Sequence, residues 1–162
     1  NDTKSLPGSP QIIKGGGSKT VKGISFKGIP CYHDPSKGSE RGSNTIFTFS
    51  VDGMKVCHLG DLGHLLSEKE LTEIGSVDML FIPVGGYFAI DPKEATRVAE
   101  QIQPKVLIPM HIKTEKCGFP IAPVDDCLKG KSATKRPKSS EVSLDEASLP
   151  QKMEIVVLEH AL

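Results

Sequence analysis

Two histidines and an aspartate crowd into the nine residues from Val56 to His64, "VCHLGDLGH", of a chain that holds five histidines in all. Neutral imidazole and ionised carboxylate are ligands for zinc and manganese, and both can move protons in general acid–base chemistry. Two further candidates stand apart in sequence, His33 in "IPCYHD" and His111 in "LIPMHI". Groups so far apart can act together only if the fold gathers them.

Each of these groups follows a β-type run. In "NTIFTFSVDGMKVCHL", Ile46, Phe47, Phe49 and Val51 precede Asp52-Gly53, and Met54, Val56 and His58 follow it. Asp-Gly between two such runs predicts a hairpin. Ser67 with Glu70 three residues on is a capping box, which predicts a short helix over 68–74 closed by Gly75. "VDMLFIPV" is apolar without alternation, the pattern of a strand buried on both faces. Asp91 as N-cap and Pro92 as first helical residue open a second helix that runs to Ile102. "KVLIPMH" is another continuous apolar strand, and strand, helix, strand makes a βαβ unit.

The remaining stretches are read from their turns. Glycine-rich turns separate β-type runs at Gln11–Ile13 and Thr20–Phe26. Residues 130–141 are polar and basic without periodicity, which predicts a mobile surface loop, and "KMEIVVLEH" predicts a closing strand. The fold class is α/β, with β-hairpins followed by a βαβ unit on a mixed sheet, and 1–162 read as one domain. In such sheets ligands collect outside the carboxyl ends of strands. Asp61, the Gly85-Gly86 turn and His111 fall at that kind of place, and His33 follows "IPCY".

Bulk composition excludes several function classes. With 20 Lys+Arg against 20 Asp+Glu, there is no electrostatic case for nucleic acid or an anionic membrane surface. No apolar run approaches the roughly 20 residues that cross a bilayer, and "NDTKSLPGSP" has no signal-peptide architecture, so a cytoplasmic location is expected. The four cysteines, Cys31, Cys57, Cys117 and Cys127, lack CxxC spacing and read as free thiols.

"HDPSKGSERGSNTIF", "CHLGDLGH", "IPVGG" and "IPMHIKT", in that order, resemble the later motifs of the metallo-β-lactamase superfamily. The branch they are most similar to is the metal-dependent hydrolases akin to L-ascorbate-6-phosphate lactonase. The resemblance covers about Val21 to Asp126. It implies the later part of an αββα sandwich, with His33, Asp61 and His111 as metal ligands and Asp61 bridging two ions. It implies zinc, with manganese as a substitute, and a metal-bound hydroxide that attacks an ester, lactone or phosphodiester bond of a small-molecule substrate.

One departure bears on all of this. The superfamily's His-x-His-x-Asp-His signature is nowhere in these 162 residues. The expectation is therefore a chain that forms the later part of a longer protein. The rival is a non-catalytic member that keeps the fold for subunit packing. A half-sandwich leaves an apolar sheet face uncovered, which makes a homo-oligomer another expectation.

Several residues keep two readings. His33 is a ligand or, with Asp34 taking the polar role, a loop residue. His58 reads as structural or as support for a ligand. His64 is a catalytic or substrate-side group, or an exposed histidine at a helix entry. Gly85-Gly86 is a tight turn, or leaves room for substrate beside the metal. Arg41 and Lys113 bind an anionic substrate group such as phosphate, or are ordinary surface charges. Asp125-Asp126 looks like a metal pair but in its Pro-preceded turn more simply begins a helix.

Overall fold

The computed structural model describes residues 7–161. An eight-stranded mixed sheet runs in the order β1-β2-β3-β4-β5-β6-β8-β7. The strands are β1 (Gly17–Val21), β2 (Ile24–Tyr32), β3 (Ser43–Val51), β4 (Met54–His58), β5 (Met79–Pro83), β6 (Val106–Met110), β7 (Thr134–Lys135) and β8 (Glu154–Val156). β1 to β4 pair antiparallel. From β4 onward every pairing is parallel. The mixed α/β architecture read from the sequence is the one observed.

Among the described residues three α-helices interrupt the strands: α1 (Glu68–Ile74), α2 (Pro92–Ile102) and α3 (Val124–Leu128). The start signals act as expected. Ser67 and Asp91 each close a capping box, with Glu70 and Glu94 reaching back to the cap backbone. Asp125 and Asp126 lie in the first turn of α3, where carboxylates complement the helix dipole. All three helices cover one face of the sheet. There Ile29, Ile46, Cys57, Leu80, Ile82 and Leu107 are buried against Val98, Ile102 and Val124 in one core.

The other face is covered more thinly. Leu149 and Leu144, from the segment before β8, pack on Met54, Val106, Ile108 and Val156. Met79 and Phe81 are partly buried and pack against the same patch. "VDMLFIPV" is thus fully buried through Leu80 and Ile82 on the helix face and less completely covered through Met79 and Phe81 on the other.

Other expectations are corrected. Thr20–Phe26 is not one strand: the chain doubles back at Lys22 and Gly23, both with positive φ, to pair β1 with β2. Gln11–Ile13 is outside the sheet, because the chain joins β2 only from Gly17 onward. The segment 130–141 contributes β7, whose Thr134 and Lys135 pair with β8. The closing strand is short, three residues within the expected 152–160. Among the described residues no helix is long and apolar enough to cross a membrane.

Candidate metal centre

Strand direction builds the site. β3 reverses the chain between β2 and β4, so β2 and β4 point the same way, and β5 and β6 run parallel to β4. The carboxyl ends of four strands thus share one edge. His33 follows β2, Asp61 follows β4, Gly85 follows β5 and His111 follows β6.

At this edge the three sequence-predicted ligands meet. His111 Nε2 lies 3.1 Å from Asp61 Oδ1. On the other side His33 Nε2 lies 4.0 Å from Asp61 Oδ2. That His33 nitrogen is buried and has no hydrogen-bond partner. His111 takes a left-handed backbone conformation, φ +54°, a strained state for a non-glycine residue of the kind that clusters at functional sites. Among the described residues no three His, Cys, Asp or Glu side chains stand close enough to hold an ion as placed.

Each donor is held by its own loop. Asn44, at the start of β3, clamps the Asp61 turn: its Nδ2 donates to the Leu59 carbonyl at 2.8 Å and its Oδ1 accepts the Asp61 N–H at 3.1 Å. The sequence reading missed Asn44, although asparagine inside a β-type run is a signal, since strands are poor in it. Gly63 brings this turn against the end of β2, donating its N–H to the Tyr32 carbonyl at 3.1 Å. Any Cβ at position 63 would overlap the His33 carbonyl and the Asp34 nitrogen, which is why the motif has glycine before His64. Gly85 makes the same allowance for His111, whose carbonyl oxygen fills the space of a side chain there.

Asp34 is an organiser of the loop after His33. Its carboxylate, 1% exposed, accepts the N–H groups of Ser36 and Gly38 at 2.9 Å each, Glu40 at 3.2 Å and Arg41 at 2.7 Å. Burial alone would raise its pKa, but the four donors outweigh that and hold the carboxyl below the usual carboxylate range.

The other candidates have partners of their own. His64 Nε2 accepts the Tyr32 N–H at 3.2 Å and its Nδ1 sits 2.8 Å from the Leu65 carbonyl, so backbone groups engage both ring nitrogens. The Glu70 carboxylate also lies 3.7 Å from Nε2. His58 stacks on Phe81 and accepts the Gly60 N–H, while loss of water around its ring and the nearby His111 push its pKa down. Arg41 pairs with Glu40 at 3.5 Å, and Lys113 Nζ donates to the Phe119 carbonyl at 2.7 Å. Asp125 and Asp126 pair with Arg136 and Lys129. Burial pushes the thiols of Cys31 and Cys57 up to about 11 and about 12, so neither supplies a thiolate nucleophile at neutral pH.

Comparison with known proteins bears on the whole arrangement. A family model described as a β-lactamase superfamily domain matches residues 1–111. A solved structure from Thermotoga maritima, described as a Zn-dependent hydrolase of the metallo-β-lactamase superfamily, superposes with a TM-score of 0.80 at 41% identity. The match takes in 91% of this chain and 71% of that one. This chain belongs to the metallo-β-lactamase superfamily.

Superfamily relatives named UPF0173 metal-dependent hydrolase agree with that placement. The Thermococcus onnurineus protein is 32% identical over 67% of this chain and 49% of its own length. The Carboxydothermus hydrogenoformans protein is 37% identical over 61% of this chain and 46% of its own. The chain spans about half the length of these relatives.

Proposed function

We propose that His33, Asp61 and His111 help to hold a divalent cation in a hydrolase that cleaves an ester, lactone or phosphodiester bond of a small molecule. The observation that carries this is the His33 Nε2 atom, buried and unpartnered, facing a carboxylate whose other oxygen lies against His111. Leaving such an atom dry costs about 1–3 kcal/mol. A cation would offset that cost.

Two imidazoles and one carboxylate suit zinc best and admit manganese. When bound, such an ion supplies Lewis acidity and a water of lowered pKa. The chain's own residues do the positioning. Asn44 aims Asp61, the Asp34 loop follows directly on His33, and the strained backbone at residue 111 turns that imidazole toward Asp61. Three donors leave an ion short of a full set, so water, substrate or polypeptide beyond these residues completes it.

The Gly85-Gly86 turn serves the close approach of the β6 end more than an opening for substrate, since the His111 carbonyl and Ile121 already fill the place of a side chain at Gly85. An anionic substrate group would have to draw Arg41 from Glu40 or Lys113 from the Phe119 carbonyl. The free thiols fit the reducing cytoplasm.

The test is elemental mass spectrometry on the native protein beside His111→Ala and Asp61→Ala. One or two equivalents of zinc or manganese, reduced in both variants, is the expected result. A metal-free protein after metal-replete expression would sink the proposal. It would favour the second reading, a non-catalytic scaffold, which the lack of a ready three-donor group among the described residues supports.

A further inference from the structure

Five large apolar side chains are exposed among the described residues, and four of them, Tyr32, Tyr87, Phe88 and Phe119, belong to the edge that carries Asp61. Three of these rings touch one another. Tyr87 meets Phe88 edge to face at 4.6 Å, and Phe88 meets Phe119 in the same way at 5.4 Å. They come from two loops, one leaving β5 and one leaving β6.

Those loops are tied to the donors. The loop bearing Tyr87 and Phe88 is pinned by Val84 N–H to the Met110 carbonyl at 3.1 Å, next to His111. Its far end is pinned by Ile90 N–H to the Leu62 carbonyl at 2.9 Å, next to Asp61. Ala122 N–H donates to the Gly85 carbonyl at 2.7 Å and joins the loop of Phe119 to it. Between the pins Tyr87 takes φ +60°, a conformation disfavoured for a bulky residue, and leaves its ring 61% exposed. Backbone strain that holds an aromatic ring out in water beside a catalytic edge calls for a ligand to cover the ring.

We propose that Tyr87, Phe88 and Phe119 form an apolar wall at the mouth of the centre, and that the wall receives a planar aromatic part of the substrate. The bond cleaved would then belong to an ester, lactone or phosphodiester carrying such a group. This rests on the hydrolytic reading of the centre. A second copy of the chain is the less suitable occupant, because three rings fall well short of the ~800 Å² that each partner brings to a standard interface. Edge-to-face rings offer π-faces that favour a flat ring over an alkyl chain.

The experiment titrates 2-naphthol into the native protein, follows naphthol fluorescence, and repeats this with Phe88→Ala and Phe119→Ala. Rates on 2-naphthyl acetate and ethyl acetate are measured beside it. The expected result is saturable naphthol binding that each substitution weakens about fivefold, with tert-butanol unable to compete. Phe119, itself 61% exposed, can be truncated without opening the core, so its variant keeps the test valid if Phe88→Ala misfolds. Absence of naphthol binding, or binding that survives both substitutions, overturns the wall. So does a variant whose one change is a shift from dimer to monomer in sedimentation, which would make the rings a contact between copies. Naphthol binding lost in the variants, with neither ester hydrolysed, supports the wall and counts against the hydrolytic reading instead.

Discussion

Gly63 lies flat against the peptide that joins His33 to Asp34, with no space between them for a side chain. The turn bearing Asp61 and the loop bearing His33 are thereby locked at one separation. Gly63→Ala must push them apart. Forcing atoms into a filled site costs about 1–3 kcal/mol, and here the obstacle is backbone that cannot rotate away. The expected outcome is a fall in Tm of about 3–10 °C, together with loss of metal, read by calorimetry and elemental analysis. An unchanged Tm would show that the turn is free to move.

Asn44 couples the start of β3 to the Asp61 turn through both ends of its amide. Asn44→Asp keeps the shape but turns the Nδ2 donor into a second acceptor facing the Leu59 carbonyl. We expect about 1–3 kcal/mol of lost stability in urea denaturation and a metal affinity about 10- to 100-fold weaker. Affinity at the wild-type level would remove Asn44 from the centre's support.

Asp34 makes stability depend on pH in a defined direction. Its folded pKa is depressed below the unfolded value of about 3.9, so its contribution is present above that pH and is lost as pH falls through the folded value. Asp34→Asn should lower the urea midpoint at pH 7 and leave a flatter profile between pH 5 and pH 2. Parallel wild-type and variant profiles across that range would contradict the assignment.

His64 separates a positioning role from a catalytic one. Its nitrogens are engaged by Tyr32 N–H and the Leu65 carbonyl, so His64→Phe leaves a backbone donor beside Tyr32 without its partner. The expected result is about 0.5–1.5 kcal/mol of lost stability, because water reaches this exposed donor, with the midpoints of the pH–rate profile unmoved. Unaltered stability with activity abolished would restore His64 to the reaction itself.

Much of this molecule was legible in the sequence wherever the cause was local. The capping boxes at Ser67 and Asp91, the Asp52-Gly53 hairpin and the two apolar strands each rest on residues a few positions apart, and each stands where it was expected. The convergence of His33, Asp61 and His111 followed from strand ends, which the sheet places on one edge. What escaped depends on distant partners. The Asn44 clamp joins residues 17 apart and the His64 bond joins residues 32 apart, and no periodicity records either. The turn at Lys22-Gly23 escaped because lysine at positive φ is chosen by the pairing of β1 with β2, not by its own preference.

Sheet order follows chain order through the first six strands, so each new strand from β2 to β6 finds its partner already beside it. Pairing is close in sequence only within the antiparallel hairpins of β1 to β4; the parallel pairs from β4 onward join residues more than twenty apart, as Val56 with Met79, and form slowly. A nascent chain can lay down this sheet in the order of its synthesis. His33 arrives first and Asp61 second, and the three side chains stand together only when β6 delivers His111.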